Sequence, residues 1–296
     1  MADVEGMVEA RDVRASRVGS AAGFHLKGCD HLDWGMKNRL SRIIKPDTGR
    51  TVMLAVDHGY FQGPTSGLEV MEKTLEPLIP QADCLMLTRG ILRTSVPPGA
   101  QVPIVLRVSG GNSVVADDLS NETLTVTPED CMRLNVCGMA FSIYVGAQHQ
   151  HQTLAAFADL IDAGYSTGIP VLAVTAVGRE MVRDARFLSL ASRMAAEMGA
   201  NLVKTYYCEN FERVTGTCPV PIVMAGGKKL PELDALTMAY KAVTEGAVGV
   251  DMGRNIFQSD CPVGMIKAVR AVVHYNEKPK KALKIYQDEK KGSKAA

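Results

Sequence analysis

The chain has 296 residues, of which 46% are apolar and 22% charged, and its net charge is +1. This is the composition of a globular protein rather than a disordered one. Near-neutrality gives no electrostatic ground for a nucleic-acid or acidic-membrane partner, and no run of about 18 apolar residues predicts a transmembrane helix.

The opening stretch MADVEGMVEARD is acidic and lacks an apolar core, so it does not read as a secretory signal. The seven cysteines (Cys29, Cys84, Cys131, Cys137, Cys208, Cys218 and Cys261) include no CxxC pair. Reduced thiols in a cytoplasmic protein are expected, with no disulfide framework and no metal site. Residues 1–50 form an N-terminal extension. Within it LDWGMKNRLSRII has apolar residues at helical spacing, with Asp33 as N-cap. This helix is expected to cover one end of the main domain or a neighbouring subunit.

From residue 51 to 275 short apolar runs alternate with helical patterns. TVMLAVD, DCLMLT, VPIVLRVS, GMAFSIYV, IPVLAVT, NLVKTYY, VPIVMAG and AVGVDMG read as strands. Helical segments follow most of them, among them GLEVMEKTLEPL, one from about His149 to Ala163, Ala185 to Met198, and PVGMIKAVRAVVHY. Eight such units in order, with nearly continuous apolar strands, indicate a parallel sheet covered by helices. Count and length fit an α/β fold of the (β/α)8 TIM-barrel type. A doubly wound sheet is the structural rival. The lysine-rich tail 276–296 is expected to be solvated and frayed.

In such a barrel the active site lies at the C-terminal ends of the strands. Asp57 and His58 close the first strand, where a carboxylate and an imidazole can orient a hydroxyl or move a proton. A turn-capping role is the plain alternative for Asp57. Lys204 sits in the middle of an apolar strand. If it points inward, burial favours the neutral amine, which is a nucleophile for carbonyls. Periodicity equally allows a lysine paired to a carboxylate, or one on the outer face that reaches past a helix. Gly226, Gly227, Gly253 and Arg254 lie in the turns after the seventh and eighth strands. There, glycines let backbone N–H groups approach a phosphate and arginine adds a forked donor. Ser109, Thr175 and Lys228 are further candidate substrate contacts. The histidines of QHQHQ read as a polar helix start. Cys208 reads as a small buried hydrophobe, and AGGKK lacks the spacing of a nucleotide-binding P-loop.

Taken together, VMLAVDHGYFQGP, VKTYY, AGGKK and GVDMGRNIFQ resemble the class I aldolase family that includes archaeal-type fructose-bisphosphate aldolase and deoxyribose-phosphate aldolase. The resemblance runs from about Cys29 to His274. It implies a Schiff-base lysine at Lys204, a strand-one aspartate at Asp57, and phosphate-binding turns at Gly226, Gly227, Gly253 and Arg254. The archaeal enzymes carry a tyrosine at the end of the fifth strand, where this chain has Ala176. That departure points to a thiolase-like branch. Such a branch implies no bound cofactor, a phosphorylated substrate, coenzyme A as acetyl acceptor, and a homo-oligomer of pentamer rings, single or stacked as a decamer. A hexose-bisphosphate-type aldolase and a non-catalytic phosphosugar-binding protein are the alternative readings.

Overall fold

The computed structural model describes residues 24–175 and 183–295. Eight parallel strands close into a barrel: β1 (Thr51–Ala55), β2 (Cys84–Thr88), β3 (Ile104–Arg107), β6 (Gly138–Ile143), β7 (Val171–Thr175), β8 (Leu202–Tyr206), β9 (Ile222–Ala225) and β10 (Gly249–Met252). Closure comes from β1 pairing with β10, Met53 against Asp251. The expected (β/α)8 barrel is therefore present. Two short strands, β4 (Ser109–Gly110) and β5 (Thr123–Leu124), pair antiparallel in a hairpin outside the barrel. The third strand is accordingly shorter than expected, because its last residues leave the barrel to start this hairpin.

Two cores divide the side chains by strand alternation. One lies between strands and helices and includes Leu54, Leu85, Phe141 and Val203. The other fills the barrel and joins Met53, Cys84, Met86, Val105, Leu172, Leu202 and Val223 to the N-terminal extension. The helix Trp34–Ile43 carries that extension, and it places Met36, Leu40 and Ile43 on one buried face. Asp33 accepts a hydrogen bond from the Met36 N–H at 2.8 Å, a cap that contributes about 1 kcal/mol. The helix thus plugs the N-terminal mouth of the barrel.

Helix bounds differ from the sequence pattern where proline and glycine intervene. Of residues 67–78, read as one helical segment, only Met71–Leu75 is helical, followed by a short 3₁₀ turn at Ile79–Gln81, because Pro77 and Pro80 break the ladder. The helix after β6 runs Gln150–Thr167 and stops at Gly168, whose φ is 68°.

The tail does not fray as expected. Pro279–Ala295 is a helix that buries Ala282 and Tyr286. It packs on the preceding helix, Pro262–Tyr275, at Gly264, where a Cβ would meet the Glu289 Cβ and the Tyr286 carbonyl oxygen at 3.1 Å each. Lys267 pairs with Glu289 at 2.8 Å across the same contact. Lys280, Lys281, Lys284 and Lys291 lie on the exposed side of an amphipathic helix, and its sparse apolar residues suffice because they recur once per turn.

Candidate active site

A cavity of about 270 Å³ opens at the C-terminal ends of the strands. Lys204, Asp57, His58, Thr175, Gly226, Gly227, Gly253 and Arg254 all line it. The barrel has brought together residues spread over some two hundred positions of chain, as its strand-end geometry dictates.

Lys204 points inward from β8, between Val174 of β7 and Val223 of β9 in register. Its side chain is 11% exposed, and Nζ lies 2.8 Å from Oδ2 of the fully buried Asp251 and 3.5 Å from Sδ of Met86. β2, β8 and β10 are the second, sixth and eighth strands of the barrel. Side chains from alternate strands share a layer in this architecture, which is why these three meet. Burial works to lower the Lys204 pKa, but the Asp251 and Asp57 carboxylates outweigh it and the pKa is raised. The expectation of an amine made neutral by burial is therefore corrected. The resting group is an ammonium, because a carboxylate at contact distance in a low-dielectric interior attracts more strongly than desolvation repels.

Asp57 ends the strand-one segment beside a second inward cation, Arg107 of β3. Arg107 Nη1 donates to Asp57 Oδ2 at 2.8 Å. Its Nη2 donates to Glu122 Oε1 at 2.8 Å and to Ser142 Oγ at 2.9 Å. Glu122, from the hairpin, also accepts from Ser109 Oγ at 2.7 Å, Tyr60 Oη at 2.5 Å and Tyr144 Oη at 3.2 Å. Burial would raise the Asp57 pKa, but Arg107, His58 and Lys204 hold it at about 2. Burial in turn opposes the Arg107 charge, yet Asp57 and Glu122 raise its pKa. His58 packs between Phe61 and Phe257, with ring centroids at 6.1 and 5.9 Å. Burial lowers its pKa to about 4, the Lys204, Arg254 and Arg107 cations acting in the same direction against Asp57. His58 is thus a neutral imidazole at neutral pH.

The glycine turns form a cradle. A Cβ at Gly253 would stand 2.3 Å from the Ala55 carbonyl oxygen and 2.8 Å from His58 Cε1, so only glycine fits. Gly227 has φ +66°, the left-handed region that glycine adopts freely. Asn255 ties the two turns: its Nδ2 donates to the Gly226 carbonyl at 2.7 Å and its Oδ1 accepts from the Leu230 N–H at 2.8 Å. Arg254 lines the cavity with its Nε buried and without a hydrogen-bond partner among the described residues. Glycine turns that let an anion approach, beside an arginine with an unused N–H, make a ready oxyanion or phosphate seat.

Over residues 51–259 the chain matches the DeoC/LacD family aldolase. The chain belongs to the DeoC/LacD aldolase family. It is an enzyme with aldolase-type chemistry, and it is similar over nearly its whole length to curated relatives. The 3-hydroxy-5-phosphonooxypentane-2,4-dione thiolase of Escherichia coli K12 is 55% identical over 291 residues, 98% of this chain and 100% of the relative. The protein of that name from Photorhabdus laumondii is also 55% identical, over 98% of this chain and 100% of its own. Among solved structures, an archaeal fructose 1,6-bisphosphate aldolase superposes with a TM-score of 0.73 at 22% identity, covering 81% of this chain and 99% of that one. That likeness bears on the fold.

Two candidate contacts fall outside the wall of the aldolase cavity. The Ser109 hydroxyl is buried, donating to Glu122 and accepting from the Ser142 N–H at 3.0 Å, so it holds the hairpin and not a substrate. Lys228 is absent from the wall, and its carbonyl accepts from Asn255 at 3.1 Å. Thr175 does reach the wall, with its hydroxyl donating to Thr205 Oγ1 at 2.7 Å. Ala176 lies outside the described residues. Cys208 is buried, its thiol pushed up to about 11 by burial. All seven cysteines are free. His149 sits at a helix start, 2.9 Å from Gln152 Oε1 and 3.6 Å from Asp118. No helix among the described residues is long and apolar enough to cross a membrane.

Sequence reasoning missed Asp251, Arg107, Glu122 and Tyr144, all of which line the cavity. Arg107 carries the same signal as Lys204, a cation inside an apolar run. Asp251 stands in GVDMG, where the glycines draw attention first. Glu122 has no local signal, since its partners come from four other segments.

Proposed function

We propose that the chain cleaves 3-hydroxy-5-phosphonooxypentane-2,4-dione, passing its acetyl group to coenzyme A and leaving dihydroxyacetone phosphate. The observation that carries this reading is that Lys204, the one lysine lining the cavity among the described residues, shares that cavity with the Gly226, Gly227, Gly253 and Arg254 cradle. The likeness to the curated thiolases supplies the substrate.

The chemistry follows from the substrate's own bonds. The cradle and Arg254 hold the phosphate, which places the adjacent C4 ketone against Lys204 and lowers the entropic part of the barrier. Lys204 Nζ attacks C4 and water leaves, giving an iminium. The thiol sulfur of coenzyme A adds to C2 and loses its proton. The C2–C3 bond then breaks, and its electron pair flows into the iminium to give an enamine. A proton returns to C3, and hydrolysis of the imine releases dihydroxyacetone phosphate and frees Lys204. Neutral His58, whose buried Nδ1 lies 3.7 Å from Asp57 Oδ1 and makes no hydrogen bond among the described residues, is suited to shuttle a proton. Asp57, held ionised by Arg107, orients the C3 hydroxyl. No bound cofactor is required. A homo-oligomer is part of the same proposal; the 78%-exposed Trp34 offers it an apolar contact, and light scattering reads it directly.

Borohydride reduction with dihydroxyacetone phosphate, followed by peptide mapping, tests the reading. An adduct on Lys204 supports it, and an adduct on Lys228 or Lys229 refutes it. Parallel assays of acetyl transfer and of fructose 1,6-bisphosphate cleavage separate the thiolase from the aldolase reading.

A further inference from the structure

We propose that Asp251 is a catalytic residue, the group that takes the proton from Lys204 and returns it to the departing oxygen. This rests on Lys204 being the imine-forming residue. Among the described residues, three carboxylates line the cavity: Asp57, Glu122 and Asp251. Asp57 is engaged by Arg107 at 2.8 Å. Glu122 is engaged by Arg107, Ser109, Tyr60 and Tyr144. Asp251 touches Nζ of Lys204 at 2.8 Å, and its Oδ1 is buried with no hydrogen-bond partner among the described residues.

A buried carboxylate is ordinarily satisfied by two or more donors, and an oxygen left without one is costly. Here the cost has a use. Few donors leave the carboxylate basic, and burial raises its pKa while Lys204 opposes the rise. A proton can therefore cross the short contact without a large penalty. Strand pairing fixes the geometry, since Asp251 is locked to Ala225 of β9 and to Met53 of β1.

The step balances. Lys204 –NH3⁺ passes one proton to Asp251, giving –NH2 and –COOH. The amine forms a C–N bond to the ketone carbon, and the C=O electron pair moves to oxygen. Asp251 and the second ammonium proton together convert that oxygen to water, which leaves. The product is the iminium cation facing an Asp251 carboxylate, so the pair ends with the charges it had at the start. The other charged or titratable described groups around it are Asp57 and His58 after β1, Cys84 on β2, Arg107 on β3, Glu122 of the hairpin, Tyr144 after β6, Arg183, Tyr206 on β8 and Arg254 after β10.

The test is the rate at which dihydroxyacetone phosphate is trapped on Lys204 by borohydride, measured across neutral and alkaline pH. Wild-type protein labelled on another lysine, or not at all, would overturn the Schiff-base reading itself. With the wild type labelled on Lys204, Asp251→Asn is expected to trap at least about 10²-fold more slowly at every pH. The opposite result, trapping as fast as wild type or faster, would show that Asp251 only anchors the ammonium, since the lysine then loses its proton more easily without it. Asp251→Ala in formate buffer covers an amide variant that fails to melt cooperatively. Recovery of trapping by formate supports the proposal, and a wild-type rate without formate overturns it.

Discussion

Two charge clusters share the mouth of the barrel, and they are built on opposite rules. Arg107 is saturated: it reaches Asp57, Glu122, Ser142 and Tyr60 within 2.9 Å, and its partner Glu122 accepts from three hydroxyls. Lys204 and Asp251 make one short contact, with Asp251 Oδ1 unpaired among the described residues. A saturated buried network is rigid and expensive to break, because each lost partner strands another charge. A sparse pair holds its groups only loosely in one protonation state. The first cluster fixes the hairpin and Asp57 in place; the second is left free to exchange a proton.

Substitutions should separate the two. Lys204→Ala is expected to lower turnover by roughly 10³-fold or more, about 4 kcal/mol of barrier, while the variant still unfolds cooperatively in urea. Lys204→Arg should do the same, since arginine keeps its proton at accessible pH. Retention of turnover by either variant would remove Lys204 from the chemistry. Arg107→Met should show the reverse emphasis. It strands two buried carboxylates and is expected to cost about 3–5 kcal/mol of stability, read as a lower urea midpoint; a neutral result would mean the network is not what holds the hairpin.

Acid should act next. The His58 pKa is about 4 in the fold against an ordinary 6.5, so the unfolded chain takes up a proton first as pH falls. Stability is therefore full above about pH 6.5 and declines by about 3 kcal/mol towards pH 4. Asp57, depressed to about 2, adds a second loss between its unfolded value near 3.9 and that pH. Stability curves for His58→Gln should lack the upper of these two losses and keep the lower. The smallest effect is at the cradle. Arg254→Ala should raise KM for a phosphorylated substrate by roughly 10- to 150-fold, about 1.5–3 kcal/mol. It should spare an unphosphorylated analogue, and equal effects on both would place Arg254 outside the phosphate seat.

The sequence carries the barrel plainly because each strand is a local apolar run and each helix a local period. It carries Lys204 for a related reason: a cation inside such a run stands out, whether as a neutral nucleophile or as one half of a buried ion pair, and the structure shows the pair. What it does not carry is pairing. Asp251 acquires its meaning only when β10 closes against β1 and places it two strands from Lys204. The charge state of Lys204 goes with it, and the inference from burial alone therefore had the wrong sign. Glu122 is further from view, since a two-residue strand pairing brings it to Arg107. The tail was misjudged through composition: many lysines suggest solvent, whereas Ala282 and Tyr286, four residues apart and buried, mark a docked helix.

The plug at the other end has a consequence for traffic. Met36, Leu40 and Ile43 fill the lower mouth and merge with the side chains inside the strands, so nothing passes through the barrel. Whatever enters must leave by the same door. On the proposed chemistry, a fragment released at Lys204 has to clear the entrance before the next substrate can reach the glycine turns, and any second reactant must approach over the first. Occupancy of one seat and access to the other are then a single queue, with product and substrate competing for one position in it.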